Sequence, residues 1–301
     1  MGLRIVIVIA ATAVLGGGIA AGLLTGGGRA GIDTHKLRLV AAENVYGDIA
    51  AQIGGGHVDV RSILTNPNAD PHLFDAGTQT GLAVAQAQLV VQNGLGYDVF
   101  MTKLEAAAPN AVRRVLTIAD VLGVHGPGAN THLWYDVPRV RKIAGAIAAA
   151  MQRADPAHAS AYANGLRRFD ARLAPLRAAI ASVRARFGGT AIAYTEPVPG
   201  YLVTAAGLVD RTPTAFTRAI EEGREPSPRA VSATTSLLAR RGVRVLLYNA
   251  QAVSPITQRI RSEALRARVP VVAVTETLPP NRSFQQWQLA QVRALGAALS
   301  E

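Results

Sequence analysis

A long amphipathic stretch at residues 155–187 constrains the fold of this chain more than any other feature. Its apolar residues recur every three or four positions, which is the spacing of one face of an α-helix. These residues are Tyr162, Leu166, Phe169, Leu173, Leu176, Ile180, Val183 and Phe187. Such a helix would be roughly 45–50 Å long, enough to join two halves of a protein. Pro175 interrupts the stretch without changing its register, so it predicts a bend rather than an end.

Short apolar runs alternate with helix-like segments on both sides of this stretch. Parallel strands joined by helices produce this alternation, so we predict an α/β fold of two lobes with largely parallel sheets, joined by one long rigid helix. Four segments follow from this interpretation. They are a signal or anchor with its tether at 1–35, an N-terminal α/β lobe at 36–154, the linking helix at 155–188 and a C-terminal α/β lobe at 189–301.

The N-terminal segment predicts export from the cytoplasm. Arg4 is followed by an uncharged, almost wholly apolar stretch at 5–24. About twenty such residues equal a membrane span and exceed the usual apolar core of a cleaved signal peptide, so both cleavage and anchoring stay open. We expect the rest of the chain to lie in the periplasm or at the cell surface. The chain has no cysteine, which excludes disulfides, thiolate metal sites and a lipid attached through cysteine.

The formal net charge of +11 raises nucleic acid as a partner. The arginines, however, are spread along helical faces, with no basic run and no interleaving with aromatic residues. We interpret them as a solvated surface and expect no nucleic-acid partner.

Four residues could together bind a metal. His72 and His132 follow turn-rich segments before the long helix, and Glu196 and Glu276 end apolar runs after it. Two neutral imidazoles and two carboxylates offset the charge of one divalent cation, and four protein ligands leave no open position for catalysis. A loop histidine is more often an exposed polar residue, and a glutamate at a strand end is often a cap. These positions alone therefore leave the question open.

The local sequence around these residues resembles a known family, the zinc- and manganese-binding solute-binding proteins of metal ABC importers. The four segments that resemble its metal-ligand segments are 68–75, 130–136, 194–197 and 275–277. The resemblance also covers Glu221-Glu222-Gly223 with the following Pro-Ser-Pro, and it extends from about residue 37 to the C-terminus.

The resemblance implies His72, His132, Glu196 and Glu276 as ligands of one metal at the interface of the lobes. It implies Zn²⁺ or Mn²⁺ as the bound ion, and two imidazoles with few oxygens favour Zn²⁺, with Mn²⁺ as the alternative. We expect a monomer that performs no catalysis. The resemblance also implies two partners on separate chains, an ABC permease subunit in the membrane and its ATPase.

Two departures from the family pattern bear on metal preference. The second histidine usually follows Asp-Pro but here follows Asn130-Thr131, and the fourth ligand is commonly aspartate but here is Glu276. Chelation by both carboxylate oxygens would suit manganese, whereas single-oxygen contacts in a tetrahedral site would suit zinc.

Other interpretations remain at this stage. The same ligands could serve a secreted metal-dependent hydrolase with Glu196 as general base, or a structural metal in an envelope adhesion protein. His125, in a glycine-rich loop, is either an auxiliary zinc ligand or a solvated histidine. We expect His57 and His158 to lie on the surface. Trp134 and Trp287 are expected to be packing anchors.

Overall fold

The computed structural model describes residues 36–67 and 77–301, and every strand in this part of the chain pairs in parallel. The first sheet has the strand order β2-β1-β3-β4. Its strands are β1 Leu37–Glu43, β2 Val58–Leu64, β3 Leu89–Gln92 and β4 Arg114–Thr117. They are short and rich in Val and Leu, as expected for strands that helices cover on both faces.

The second sheet repeats this topology, with the order β6-β5-β7-β8. Its strands are β5 Ala191–Tyr194, β6 Val209–Asp210, β7 Leu246–Asn249 and β8 Val271–Val274. In each sheet the order of connection reverses between the first and third strands. Such a reversal opens a crevice at the carboxyl ends of the strands, where α/β proteins bind ligands.

Helices connect the strands and fill the space between the sheets. Those of the first half are α1 Asn44–Gly54, α2 Thr78–Gln86, α3 Val99–Ala107, α4 Ile118–Leu122 and α5 Val137–Ala154. Those that follow are α6 Ala159–Arg172, α7 Ala174–Phe187, α8 Gly200–Ala205, α9 Thr214–Glu221, α10 Pro228–Ala239, α11 Pro255–Arg266 and α12 Phe284–Ser300.

The long linking helix is present and is bent where the sequence predicts. After a short 3₁₀ turn at Pro156–His158, α6 and α7 are separated by Leu173 alone, whose φ of −78° and ψ of −14° stay in the right-handed helical region. Pro175 is exposed in the first turn of α7. The apolar face packs inward, with Tyr162 and Phe169 wholly inaccessible to solvent.

One hydrophobic core extends across both sheets and the linking helix. Its members include Leu39 of β1, Phe169 of α6 and Leu247 of β7. The two halves also bond directly, because Asn44 Nδ2 donates to the Leu278 carbonyl and the Leu278 N–H donates back to Asn44 Oδ1. The linking helix is therefore one of several connections between the two halves.

The fold class is confirmed: helices surround two parallel sheets that are joined by a long bent helix. The domain boundaries proposed above stay predictions. No helix among residues 36–67 and 77–301 is long and apolar enough to cross a membrane. The apolar stretch predicted as a signal or anchor lies outside the described residues.

Candidate metal-binding site

His132 is held rigidly in the crevice at the carboxyl ends of the first sheet. It precedes the 3₁₀ turn Leu133–Tyr135 and helix α5, whose first turn is capped by the Asp136 carboxylate accepting from the Arg139 N–H. The side chain is fully buried. Its ring lies edge-on to two aromatic rings, with centroid distances of 5.7 Å to Tyr97 and 5.4 Å to Trp134. Packing therefore fixes the plane of the imidazole.

Asn130 determines that Nδ1 of the His132 ring carries a hydrogen. Its Oδ1 lies 2.9 Å from both the His132 backbone N and the His132 Nδ1. Its Nδ2 donates to the Pro197 carbonyl at 2.6 Å, which fixes the orientation of the amide. Because Oδ1 can only accept, Nδ1 carries a hydrogen, and Nε2 is the ring atom that faces the rest of the site.

Glu196 and Glu276 meet below this ring. Each follows a strand of the second sheet, and each is 1% exposed. Asn249, at the end of β7, donates from Nδ2 to Glu196 Oε2 at 2.5 Å and to Glu276 Oε1 at 2.8 Å. The Tyr97 hydroxyl donates to Glu276 Oε2 at 2.8 Å. One amide thus joins the two predicted carboxylate ligands, and a tyrosine of the other half orients one of them.

The spacing between His132 and Glu276 suits one metal ion between them. His132 Nε2 lies 3.1 Å from Glu276 Oε2. Two donors at zinc-ligand distances in a tetrahedral arrangement are about 3.3 Å apart. The hydrogen on His132 Nδ1 is donated to Asn130. A hydrogen bond from Nε2 to the Glu276 carboxylate therefore requires a second proton on the ring. A bound metal would take the place of that proton.

The electrostatics of the site agree with a protonated ring when no metal is bound. Burial alone would lower the pKa of His132, but the Glu221, Glu276 and Glu196 carboxylates outweigh it, and the pKa lies above its ordinary value of 6.5. Glu221 Oε1 is 3.9 Å from His132 Nδ1 and accepts from the Thr131 hydroxyl at 3.0 Å. The surrounding negative charge favours any cation at this place, either a proton or a metal.

The structure brings together three of the four predicted ligands, His132, Glu196 and Glu276. His72 lies outside the described residues. Within the part of the chain that the structure does describe, no group of three or more histidine, aspartate or glutamate side chains is arranged to hold a metal by itself. The assignment of all four residues as ligands therefore remains a proposal.

A second buried acidic group escaped the sequence reasoning. Glu43, the last residue of β1, is 2% exposed, and its carboxylate lies beside that of Asp98. Asp98 is also buried and accepts from the N–H groups of Asn93 and Gly94. Burial, reinforced by the Asp98 carboxylate, raises the pKa of Glu43 well above its ordinary value. Its place at a strand end is the same signal that singled out Glu196.

The remaining candidates fall into three groups. His125 is exposed and lies 3.9 Å from Asp120. Trp134 and Trp287 are buried, as expected of packing anchors, although Trp134 also borders the ring of His132. The rings of His57 and His158 stack on each other at 4.1 Å and are partly buried rather than free on the surface.

Comparison with known proteins identifies the family. The model of the family described as "Zinc-uptake complex component A periplasmic" matches residues 39–298. The chain belongs to this family. The family is one of metal-binding, substrate-binding proteins of ABC transporters, which confirms the resemblance carried by the four ligand segments. The comparisons give no support to the hydrolase alternative.

Individual relatives agree with membership of this family. A Treponema pallidum (strain Nichols) protein named for metal binding is 21% identical over 286 residues, which are 89% of each chain. The manganese-binding lipoprotein MntA of Bacillus subtilis (strain 168) is 28% identical over 137 residues, which are 42% of this chain and 44% of that protein.

Two solved structures share the fold of this family member. The periplasmic zinc binding protein TroA from Treponema pallidum has a TM-score of 0.74 at 17% identity, covering 88% of this chain and 99% of that chain. FpvC from Pseudomonas aeruginosa, solved with Ni²⁺, has a TM-score of 0.74 at 19% identity, covering 88% of this chain and 97% of that one.

Proposed function

We propose that this protein captures Zn²⁺ outside the cytoplasm and delivers it to an ABC permease, with His72, His132, Glu196 and Glu276 as ligands. The observation that carries the proposal is the convergence of His132, Glu196 and Glu276. They come from the two halves of the molecule, and one hydrogen-bonded network joins their buried side chains.

Burial on this scale suits a carrier better than a catalyst. Hydrolysis would need a substrate beside the metal and an open coordination position for water. Here Glu196, the residue a hydrolase would use as general base, is 1% exposed and bonded to Asn249. A cation enclosed between two halves can instead be released when the halves separate, which is what transfer to a permease requires.

Zinc is the favoured cargo on the chemistry of the donors. Two imidazoles with two carboxylates hold zinc more tightly than manganese unless the site supplies many oxygen contacts. The Glu276 side chain could in principle supply them through its extra methylene, but both of its oxygens are already engaged, Oε1 by Asn249 and Oε2 by Tyr97. A second contact from Glu276 Oε1 to manganese would therefore compete with the hydrogen bond from Asn249.

The remaining parts of the proposal concern the surroundings of the protein. A separate permease subunit and ATPase would receive the ion, and the apolar stretch at 5–24 would direct export or anchor the protein in the membrane. We expect the binding protein to act as a monomer, without catalysis of its own.

Calorimetric titration of metal-free protein with Zn²⁺ and with Mn²⁺ tests the proposal. We expect one zinc per chain, tighter binding of zinc than of manganese, and loss of at least about tenfold in zinc affinity for His132→Ala. His158→Ala is the matched control, because this histidine stacks on His57 and bonds to Asp155, and neither of these is a proposed ligand. Equal affinity of wild type and His132→Ala, or tighter manganese binding, would contradict the assignment.

A further inference from the structure

We propose that Asn249 is a positioning residue that selects the metal. By bonding one oxygen of Glu196 and one of Glu276, it restricts both carboxylates to single-oxygen contact and so favours zinc over manganese. This inference rests on the proposed function and assigns a role in metal specificity to a residue that is not itself a ligand.

The first step is that the Asn249 amide has one possible orientation. Its Oδ1 accepts from the Gln251 N–H at 3.0 Å, and its Nδ2 faces the two carboxylates. The reversed amide would place its oxygen against two carboxylates and its NH₂ group against an N–H. The residue is 1% exposed, so water does not replace these bonds.

The second step is that the backbone around Asn249 is fixed as well. The Asn249 N–H donates to Thr195 Oγ1 at 3.0 Å, next to Glu196. Two residues later, Gln251 Oε1 accepts from the N–H groups of Glu276 and Thr277 at 2.6 and 3.0 Å. The same strand end therefore holds both carboxylate-bearing loops, and neither carboxylate can rotate without breaking this network.

The third step concerns the oxygens themselves. A hydrogen bond from Nδ2 engages Glu196 Oε2 and Glu276 Oε1, while Glu276 Oε2 lies 3.1 Å from His132 Nε2 on the side where a metal would sit. Zinc is satisfied by four single contacts, whereas manganese prefers a larger number of oxygen ligands. Because the Asn249 amide holds one oxygen of each carboxylate, a two-oxygen contact with the metal would have to distort that hydrogen bond, and single-oxygen contact is favoured.

The test compares the ratio of manganese to zinc dissociation constants in wild type, Asn249→Ala and Asn249→Ser. It also records the visible absorption of bound Co²⁺, which is strong for four ligands and weak for six. Thr234→Val is the control, because this buried hydroxyl bonds to the Ala230 carbonyl of its own helix, α10. We expect the preference for zinc to fall by about tenfold or more in Asn249→Ala, with weaker Co²⁺ absorption, and the control to match wild type.

The zinc preference of Asn249→Ser should lie between those of wild type and Asn249→Ala, because its short hydroxyl can donate to only one carboxylate. If the alanine variant does not fold, the serine variant provides the test. If wild type binds zinc but both variants keep its metal ratio and Co²⁺ spectrum, the role of Asn249 is wrong and the proposed function stands. If wild type binds neither metal, the proposed function fails and this inference fails with it.

Discussion

The two sheets present the same residue types at their carboxyl ends but connect them differently. A glutamate lies at or just after the first strand of each sheet, Glu43 and Glu196, and an asparagine at or just after the third, Asn93 and Asn249. Asn249 donates to two carboxylates. The Asn93 amide instead donates to the carbonyls of Thr131 and Gly94 and accepts from the Tyr46 hydroxyl.

This difference produces two kinds of acidic group from one topology. In the second half, Glu196 accepts from the Asn249 amide and shares that donor with Glu276. In the first half, Glu43 is buried beside Asp98 and, among the residues that the structure describes, bonds to no amide side chain, so burial and repulsion favour its neutral form. The position of a carboxylate at a strand end therefore does not decide its role; the donors around it do.

Replacing Glu196 and Glu43 by glutamine tests most directly whether the two carboxylates have different roles. We expect Glu196→Gln to lose more than about tenfold in zinc affinity, because it removes a charged ligand and turns an NH₂ group toward either Asn249 or the metal. Glu43→Gln should change affinity by a few-fold at most, because burial and the Asp98 carboxylate already disfavour the charged form of Glu43. Titration of both variants measures this, and equal losses would show that Glu43 takes part in binding.

Asn130 tests whether the first half contributes orientation as well as a ligand. We expect Asn130→Ala to weaken zinc binding by about tenfold, because His132 loses the acceptor that fixes its Nδ1 hydrogen and the loop loses its bond to the Pro197 carbonyl. Asn110→Ala is a suitable control, since that side chain makes its bonds to the carbonyls of Ala85 and Ala87. Unchanged affinity in Asn130→Ala would assign the orientation of His132 to aromatic packing alone.

The pH dependence of binding should reflect the raised pKa of His132. Protonation of His132 stabilises the metal-free fold at pH values below 6.5. This contribution is lost as pH rises through the raised pKa of His132. Metal binding has the opposite dependence, because it requires the neutral Nε2. We expect zinc affinity to decline as pH falls, beginning above 6.5, with a proton released on binding. Calorimetry in buffers of different ionisation enthalpy measures that proton, and affinity that stays constant from pH 8 to pH 6 would contradict it.

Glu43 should show its effect on stability rather than on binding. An acid whose pKa is raised in the fold stabilises the fold at low pH and loses that contribution as pH rises above its ordinary value of 4.5. We therefore expect Glu43→Gln to raise the melting temperature of the metal-free protein at pH 7.5 by about 2–4 °C or more, and by less at pH 5. Asp59→Asn, at an exposed carboxylate of β2, is the control. An equal shift at both pH values would show that ionisation of Glu43 is not its cause.

The sequence predicted the repeating features of this fold better than the irregular ones. The apolar face of the linking helix and the strand at Val58–Leu64 lie where their patterns place them. The elements between Glu196 and Pro228 were not predicted, because β6 has two residues, α8 six and α9 eight, which are too few to show a clear period. Such short elements depend on tertiary contacts rather than on their own residues.

The residues of the site were also predicted only in part. The four ligand positions came from the family resemblance, and three of them converge in the fold. The roles of Asn130 and Asn249 depend on which carbonyl or carboxylate lies opposite their amides. Along the chain, Glu196 is 53 positions from Asn249, and Pro197 is 67 positions from Asn130. No local pattern in a sequence encodes a contact over that separation.

The smallest expected effect concerns the bend that joins the two halves. Proline inside a helix costs about 3 kcal/mol, but Pro175 lies in the first turn of α7, where a missing N–H costs little. The carbonyl of Ala171 already accepts from the Leu173 N–H. We therefore expect Pro175→Ala to leave zinc affinity unchanged and to lower stability by about 0.5 kcal/mol, because the unfolded chain gains freedom.

Ala181→Pro, at an exposed interior position of the same helix, should cost about 3 kcal/mol or more. Thermal melting of both variants measures the contrast, and a clear gain in stability for Pro175→Ala would show that the bend strains the helix.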